Sequence, residues 1–283
     1  MPIFSFGIVA DLQYADLVPY KNRYFRNSLQ KLEACITTMN AHNLKFIADL
    51  GDLIERNYES FDRVIEQYNR SYSKVYFTVG NHDFEVEEHL KPQVRSKMGL
   101  QDKAYYAFSV KHIRFIFLDG NTISTYANKP GSEPYQKAEE LIEDLSERGM
   151  PHAQPYNGGI DEEQMEWLEQ NLQDAKSKLE KVIIFCHFPI YPANKHNLLN
   201  DAELLHITGR HDHIIAWFNG HNHEGNYGYN TGVHFVTLKG MVETPGDAAF
   251  CIIDVYSDRL ELKGFGREPS RTLSVHEAVP LGG

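Results

Sequence analysis

Acidic, carboxamide and imidazole side chains recur in a few short strings along the 283 residues: Asp11-Leu12-Gln13, Gly51-Asp52, Gly80-Asn81-His82-Asp83, His187, and Gly220-His221-Asn222-His223. Their donor atoms are oxygens and imidazole nitrogens with no thiolate, a set that suits Mn2+, Fe2+, Zn2+ or Mg2+ better than soft metals. The carboxylates of Asp11 and Asp52, the imidazoles of His187, His221 and His223 and the amides of Gln13 and Asn81 exceed the needs of one tetrahedral ion. Two ions roughly 3.5–4 Å apart, bridged by a carboxylate, would use them all; such a pair polarises a phosphoryl group and clamps attacking and leaving oxygens in line. Taken singly, Asp52 reads as a turn residue, Asn81 as a cap and His187 as a loop histidine. Jointly the set is hard to obtain from turn chemistry, which supplies Gly, Ser and Pro as readily.

These strings need a frame. Short apolar, β-rich runs over residues 3–10, 44–50, 74–79, 182–186 and 214–219 end at Asp11, Gly51-Asp52, Gly80, His187 and Gly220 in turn. Helical spacing over residues 24–41, carried by Leu29, Leu32, Ile36 and Met39, and over 60–70 separates the first three runs. Strands alternating with helices of this length predict βαβ units and a largely parallel sheet. In open α/β sheets ligands gather at the carboxyl ends of the strands, where loops converge, and every string sits at such an end. Residues 104–110 and 113–118 read as a hairpin turned by Lys111 and His112. Helices are expected over 133–148 and 161–178, the second capped by Asp161, and further strands over 233–238, 249–256 and 259–263. From Glu268 onward the Pro-, Gly- and polar-rich stretch reads as a peripheral tail.

With 42% hydrophobic and 24% charged residues, the chain lies in the ordinary globular range, which excludes disorder, collagen and coiled coil. Its 28 basic and 39 acidic residues leave a net charge of −11, which argues against a nucleic-acid partner gripped by a basic face. Bound divalent cations would reverse the sign locally and admit an anionic substrate. Cys35, Cys186 and Cys251 stand far apart with no Cys-x-x-Cys, a usage that suggests neither a disulfide framework nor a zinc cage and fits a reducing compartment. The apolar stretch of residues 1–10 is short for a signal core, and no run approaches the roughly 18 residues of a membrane span. A cytoplasmic protein without a membrane partner is expected. P-loop, Rossmann and zincin strings are absent from the sequence.

In order and type the strings resemble those of the calcineurin-like metallophosphoesterases, whose motifs run DxH, GDxx, GNHD, H and GHxH, and the resemblance extends from residue 3 to about residue 265. It implies an α/β fold, a four-layer α/β/β/α sandwich over residues 1–267 with a dimetal site at the carboxyl ends of strands, followed by the tail 268–283. Carried over residue by residue, it assigns Asp11, Gln13, Asp52 and His223 to one metal and Asp52, Asn81, His187 and His221 to the other, with Asp52 as the bridge. His82 becomes the catalytic residue that stabilises transition-state charge or protonates the leaving oxygen. Asp83 is expected to be structural.

Gln13 departs from the general pattern, which has a histidine there. A carboxamide oxygen is a weaker and harder ligand than imidazole, so Mn2+ is favoured over Zn2+. This variant resembles the Mn2+-dependent ADP-ribose/CDP-alcohol diphosphatases, to which the strings FSFGIVADLQYADL, RYFRNSL, YNGGIDEEQMEWL and HFPIYP are also similar. The implied activity is hydrolysis of the phosphoanhydride of small nucleoside diphosphate derivatives, such as ADP-ribose or CDP-choline, to a nucleoside monophosphate and a phosphorylated sugar or alcohol. Cyclic-nucleotide phosphodiesterase activity is opposed by Gln13, and a non-catalytic scaffold by the coordinating atom kept at every position. Purple acid phosphatases need a tyrosine where this chain has Glu55. For the substrate, Arg23 or Arg26 are candidates to meet phosphate and Tyr14, Phe25, Phe84 or Tyr191 to stack on a base. The Asn157-Gly158-Gly159 loop either approaches the substrate through its backbone or starts the next helix.

Overall fold

The computed structural model describes residues 1–101 and 103–275. Alternation along the strands decides its layers. In β1 (Phe4–Val9) the side chains of Phe4, Phe6 and Ile8 point into one apolar cluster and Val9 into another, as the period of two requires. β2 (Leu44–Asp49) divides in the same way, Phe46 and Ala48 against Ile47. With β3 (Val75–Phe77) these strands form a parallel set. Onto β1 are added, antiparallel, β10 (Ala249–Val255), β11 (Arg259–Gly266) and β12 (Arg271–Ser274), giving the order β12-β11-β10-β1-β2-β3.

The second sheet runs β4-β5-β6-β7-β9-β8. Here β5 (Ile113–Phe117), β6 (Lys181–Phe185), β7 (Ile214–Asn219) and β9 (Val233–Lys239) are parallel, and the edges β4 (Tyr106–Val110) and β8 (Glu224–Asn230) antiparallel. The two sheets face each other across a phenylalanine-rich core in which Phe6 and Phe46 stack at 5.0 Å and Phe115 meets Phe46 edge-on at 4.8 Å. Outside, α1 (Asn27–Asn40) and α2 (Ser60–Tyr68) cover the first sheet through Leu32, Ile36, Phe61 and Val64. The second sheet is covered by α5 (Glu162–Ser177) and α6 (Asp201–Arg210) through Leu168, Leu172, Leu204 and Ile207. The short α3 (Val94–Lys97) and the longer α4 (Glu133–Glu147) lie beside these layers. The result is an α/β/β/α sandwich.

The two β layers implied by the resemblance are present, but both are mixed where a largely parallel sheet was expected: β10 to β12 return across the sequence to add antiparallel strands to β1, and β4 and β8 do so at the edges of the second sheet. α1 starts at Asn27 and not at residue 24: a turn precedes it, with the Asn27 N–H on the Tyr24 carbonyl at 3.1 Å, and the Tyr24 N–H is bonded to the Val242 carbonyl at 2.9 Å. Asp161 caps α5 as expected, accepting from the Gln164 N–H at 2.8 Å. β8, α6 and β12 were not among the expected elements. In the stretch read as a peripheral tail, buried Glu268 accepts the Lys239 N–H at 2.8 Å and Arg271–Ser274 pairs with β11; residues 276–283 lie outside the described residues. Among the described residues no helix is long and apolar enough to cross a membrane.

Candidate metal centre

The turns that leave the strands are stitched to one another. Asp11 donates its N–H to the Gly51 carbonyl at 3.2 Å, Gln13 to the Asp52 carbonyl at 2.7 Å, and Gly220 to that of His187 at 2.9 Å. The Asp83 carboxylate accepts four backbone N–H groups, from Gly80 (2.9 Å), Asp52 (3.0 Å), Leu53 (2.8 Å) and Ile54 (3.3 Å). The structural part expected of Asp83 is thus to bind the second and third turns together. Contact is so close that a Cβ on Gly80 would stand 2.1 Å from Asp52 Oδ1. Asp11, Gln13, Asp52 and His221 adopt left-handed backbone conformations, with φ of 52°, 43°, 58° and 66°, uncommon for residues other than glycine.

This framework brings Asp11, Gln13, Asp52, Asn81, His187, His221 and His223 together. Two triads, Asp52/His187/His221 and Asp11/Asp52/His223, each have ligand atoms within 4.8 Å of one another, and Asp52 is common to both. Asn81 Oδ1 lies 3.3 Å from His187 Nε2, and Gln13 Nε2 lies 3.1 Å from Asp52 Oδ2.

The outer hydrogen bonds decide which imidazole nitrogen faces inward. His187 Nδ1 donates to the Leu50 carbonyl at 2.7 Å. Asn157 spends its amide N–H groups on the carbonyls of His152 and Lys195, so its Oδ1 accepts from His221 Nε2 at 2.9 Å. His223 Nδ1 donates to Glu243 Oε1 at 2.8 Å. Each neutral ring therefore carries its proton outside and turns a lone pair inward. His187 Nε2 and His221 Nδ1 face each other at 3.2 Å, with Asp52 Oδ2 3.3 Å from His187 Nε2. Gln13 Oε1 is buried without a hydrogen-bond partner. These inward lone pairs, the Asp52 carboxylate and the unpartnered Gln13 oxygen make up the donor set of a cation site, and the residues fit divalent ions with oxygen and imidazole ligands.

The electrostatics agree. Burial alone would raise the Asp52 carboxyl, yet His187 and His82 beside it hold it well below the usual carboxylate range. Burial opposes charge on His187, but Asp52 overcomes it and raises that ring to about 9. His221, buried and next to His187, is pushed well below its ordinary value. The pocket attracts positive charge and has protons for only part of it.

His82 stands beside the triads. Its N–H donates to Asp52 Oδ1 at 2.8 Å, while Nδ1 lies 3.1 Å from Glu55 Oε2 and 3.2 Å from Glu85 Oε1. Against burial, Asp52 and these two glutamates raise the ring to about 9. A cleft of about 690 Å³ opens over His221 and His223, with Lys21, Arg23, Lys195 and Arg267 on its walls. It forms a basic patch on an acidic chain. Another cleft of about 710 Å³, lined by Arg95, Lys103, Asp161 and Glu163, contains none of the converging donors.

Of the substrate candidates, Arg23 lines the first cleft, whereas exposed Arg26 is paired with Asp16. Phe25 and Phe84 are buried in apolar clusters and offer no free face, which corrects the stacking expectation for both. Tyr191 packs on Phe235 at 5.3 Å, and Tyr14 is bridged to Ile54. Sequence reasoning missed Glu243, and for Asn157 it weighed the backbone when the side chain is what orients His221. It also missed Tyr156, whose ring lies 5.8 Å from those of both His196 and His221.

Comparison with known proteins agrees with this geometry. The family model for calcineurin-like phosphoesterase matches residues 4–225. A "Manganese-dependent ADP-ribose/CDP-alcohol diphosphatase" of Arabidopsis thaliana is 32% identical over 95% of this chain and 96% of its own length, and a Homo sapiens protein of the same name is 30% identical over 96% and 93%. The crystal structure of a dimetal phosphatase from Danio rerio superposes with a TM-score of 0.87 at 26% identity, covering 98% of this chain and all of that one. With the matched strings at the converging turns and the fold shared along the whole length, the chain belongs to the calcineurin-like phosphoesterase family.

Proposed function

We propose that the protein is a two-metal phosphohydrolase that cleaves the phosphoanhydride of nucleoside diphosphate derivatives such as ADP-ribose and CDP-alcohols. One observation carries the reading: two triads of inward-facing donors share Asp52 beneath a basic cleft. Asp11, Gln13, Asp52 and His223 would hold one divalent ion and Asp52, Asn81, His187 and His221 the other. When bound, the pair supplies Lewis-acid polarisation of the phosphoryl group and neutralises its charge. Gln13, with its harder amide oxygen, supports manganese, and the relatives above are named as manganese-dependent.

The chain's own residues do the rest. Arg23, Lys21, Lys195 and Arg267 draw the anionic diphosphate into the cleft. His82 has Nδ1 engaged by Glu55 and Glu85, which leaves Nε2 to meet a phosphoryl or leaving oxygen as a hydrogen-bond donor or acid. Water adds to one phosphorus, the P–O–P bond breaks, and a nucleoside monophosphate leaves with a phosphorylated sugar or alcohol. Three buried free cysteines support a reducing, cytoplasmic setting, and a cleft of this size supports a small nucleotide over a nucleic acid.

The test is a substrate panel assayed with Mn2+, Mg2+ and Zn2+. Turnover of ADP-ribose and CDP-choline, highest with Mn2+ and far above that of cyclic AMP, is expected. Preferential turnover of cyclic AMP would move the protein to the cyclic-nucleotide branch, and a metal-loaded protein inert toward the whole panel would make it a scaffold.

A further inference from the structure

Lys31 lies on the buried face of α1 and is only 4% exposed. An ammonium in such a place is unfavourable unless it is hydrogen-bonded, and burial lowers this one from 10.5 to about 8. Its Nζ donates to three main-chain carbonyls of one loop, those of Met241, Glu243 (3.1 Å) and Thr244 (3.0 Å). Among the described residues, no backbone N–H bonds to any of these three oxygens. Within the loop the Thr244 hydroxyl donates to the Asp247 carbonyl at 3.0 Å, and Thr244 itself is left-handed, with φ of 66°.

Residues 241–244 underlie one half of the candidate metal centre. Met241 donates to the Ala10 carbonyl at 3.0 Å and Val242 to that of Asp11 at 2.9 Å, while Thr244 donates to the Asn22 carbonyl at 3.1 Å. Glu243 supplies the carboxylate that orients His223. The other half has supports of its own in the Leu50 carbonyl and Asn157; the two share Asp52, held by Asp83, and the His221 N–H, which donates to the Asp11 carboxylate at 3.0 Å.

We propose that Lys31 is the positioning residue of the Asp11–Gln13–His223 half-site, its ammonium clamping residues 241–244 so that Glu243 fixes His223 and the Asp11 turn is held from behind. The inference rests on the reading of those three residues as ligands of one ion. General damage to the fold would lower both metal affinities together; loss of this clamp acts on one.

The experiment is a Mn2+ titration of the full chain by calorimetry, with free Mn2+ counted by electron paramagnetic resonance, on the parent, Lys31→Met, Lys31→Gln and Glu243→Ala. The parent takes up two ions. In Lys31→Met one of the two affinities falls by about tenfold or more, the usual effect of removing support behind a ligand, and the other stays within about twofold. Lys31→Gln, which retains a donor and covers failure of the methionine variant to fold, shows the same selectivity. Made in the Glu243→Ala background, Lys31→Met weakens that site by less than it does in the parent, because the part of its effect that runs through Glu243 and His223 is already lost. Equal weakening of both sites, or of neither, in folded Lys31 variants would overturn the inference and leave the two-ion reading standing. A parent that takes up fewer than two ions would overturn that reading and the inference with it.

Discussion

Glu55 shows what one side chain can add to a centre whose ligands are already in place. It is buried, carries a carboxylate held below its ordinary value against burial by the His82 beside it, and shares that ring with Glu85. His82 consequently keeps its proton at neutral pH and loses it as pH rises through about 9. Ions held at Asp52 would cancel part of that anion's pull and bring the ring's value down, and a rate that needs the protonated ring falls as pH rises through it. In Glu55→Gln one anion is gone, so the alkaline limb of kcat, measured at saturating Mn2+, should move to lower pH. A limb that does not move would assign it to a group other than His82. The donors of the centre were legible in the sequence because each lies in a short string whose residue types are unusual together. Glu243 was not: it acts on a histidine 20 residues earlier, from a segment with no composition of its own to mark it. Glu55 was legible only as a position lacking a tyrosine.

At the level of elements, the apolar runs that became β1, β2, β6 and β7 were readable because each is buried and ends abruptly at a polar turn. β8 was not, since Glu224–Asn230 contains two glycines and only Tyr227 and Tyr229 to suggest alternation, and it exists because β9 pairs with it. The loop before α5 decides more than the start of that helix. Asn157 orients His221, and a Cβ on the next residue, Gly158, would stand 2.1 Å from the Gly120 carbonyl oxygen and 2.8 Å from the Tyr126 hydroxyl. Backbone must shift to admit it, at a cost of about 1–3 kcal/mol. Gly158→Ala is therefore expected to lower Tm and to weaken Mn2+ binding in the same protein. Unchanged values of both would show that the loop can yield without disturbing His221.

Across the whole molecule, the pairing of the last strands with the first within one sheet was the least legible feature. Ser5 in β1 bonds to Asp254 in β10, 249 residues away, and no local period reports such a partner. The thiols are a property of the same burial. Cys35, Cys186 and Cys251 are free and enclosed, and burial pushes all three up, Cys186 to about 12. Iodoacetamide at pH 8 should leave the native protein unmodified and alkylate every cysteine in denaturant, as read by mass spectrometry; labelling of the native protein would reveal opening of the layers. The left-handed turns at Asp11, Gln13, Asp52 and His221 carry a different consequence. Glycine or asparagine would relax each of them, so a heat-challenged library screened for soluble protein alone should enrich those two residues at these positions. Its most durable members would be the ones that have stopped being enzymes, and ancestry or engineering that rewards survival must be checked against turnover at the same four codons.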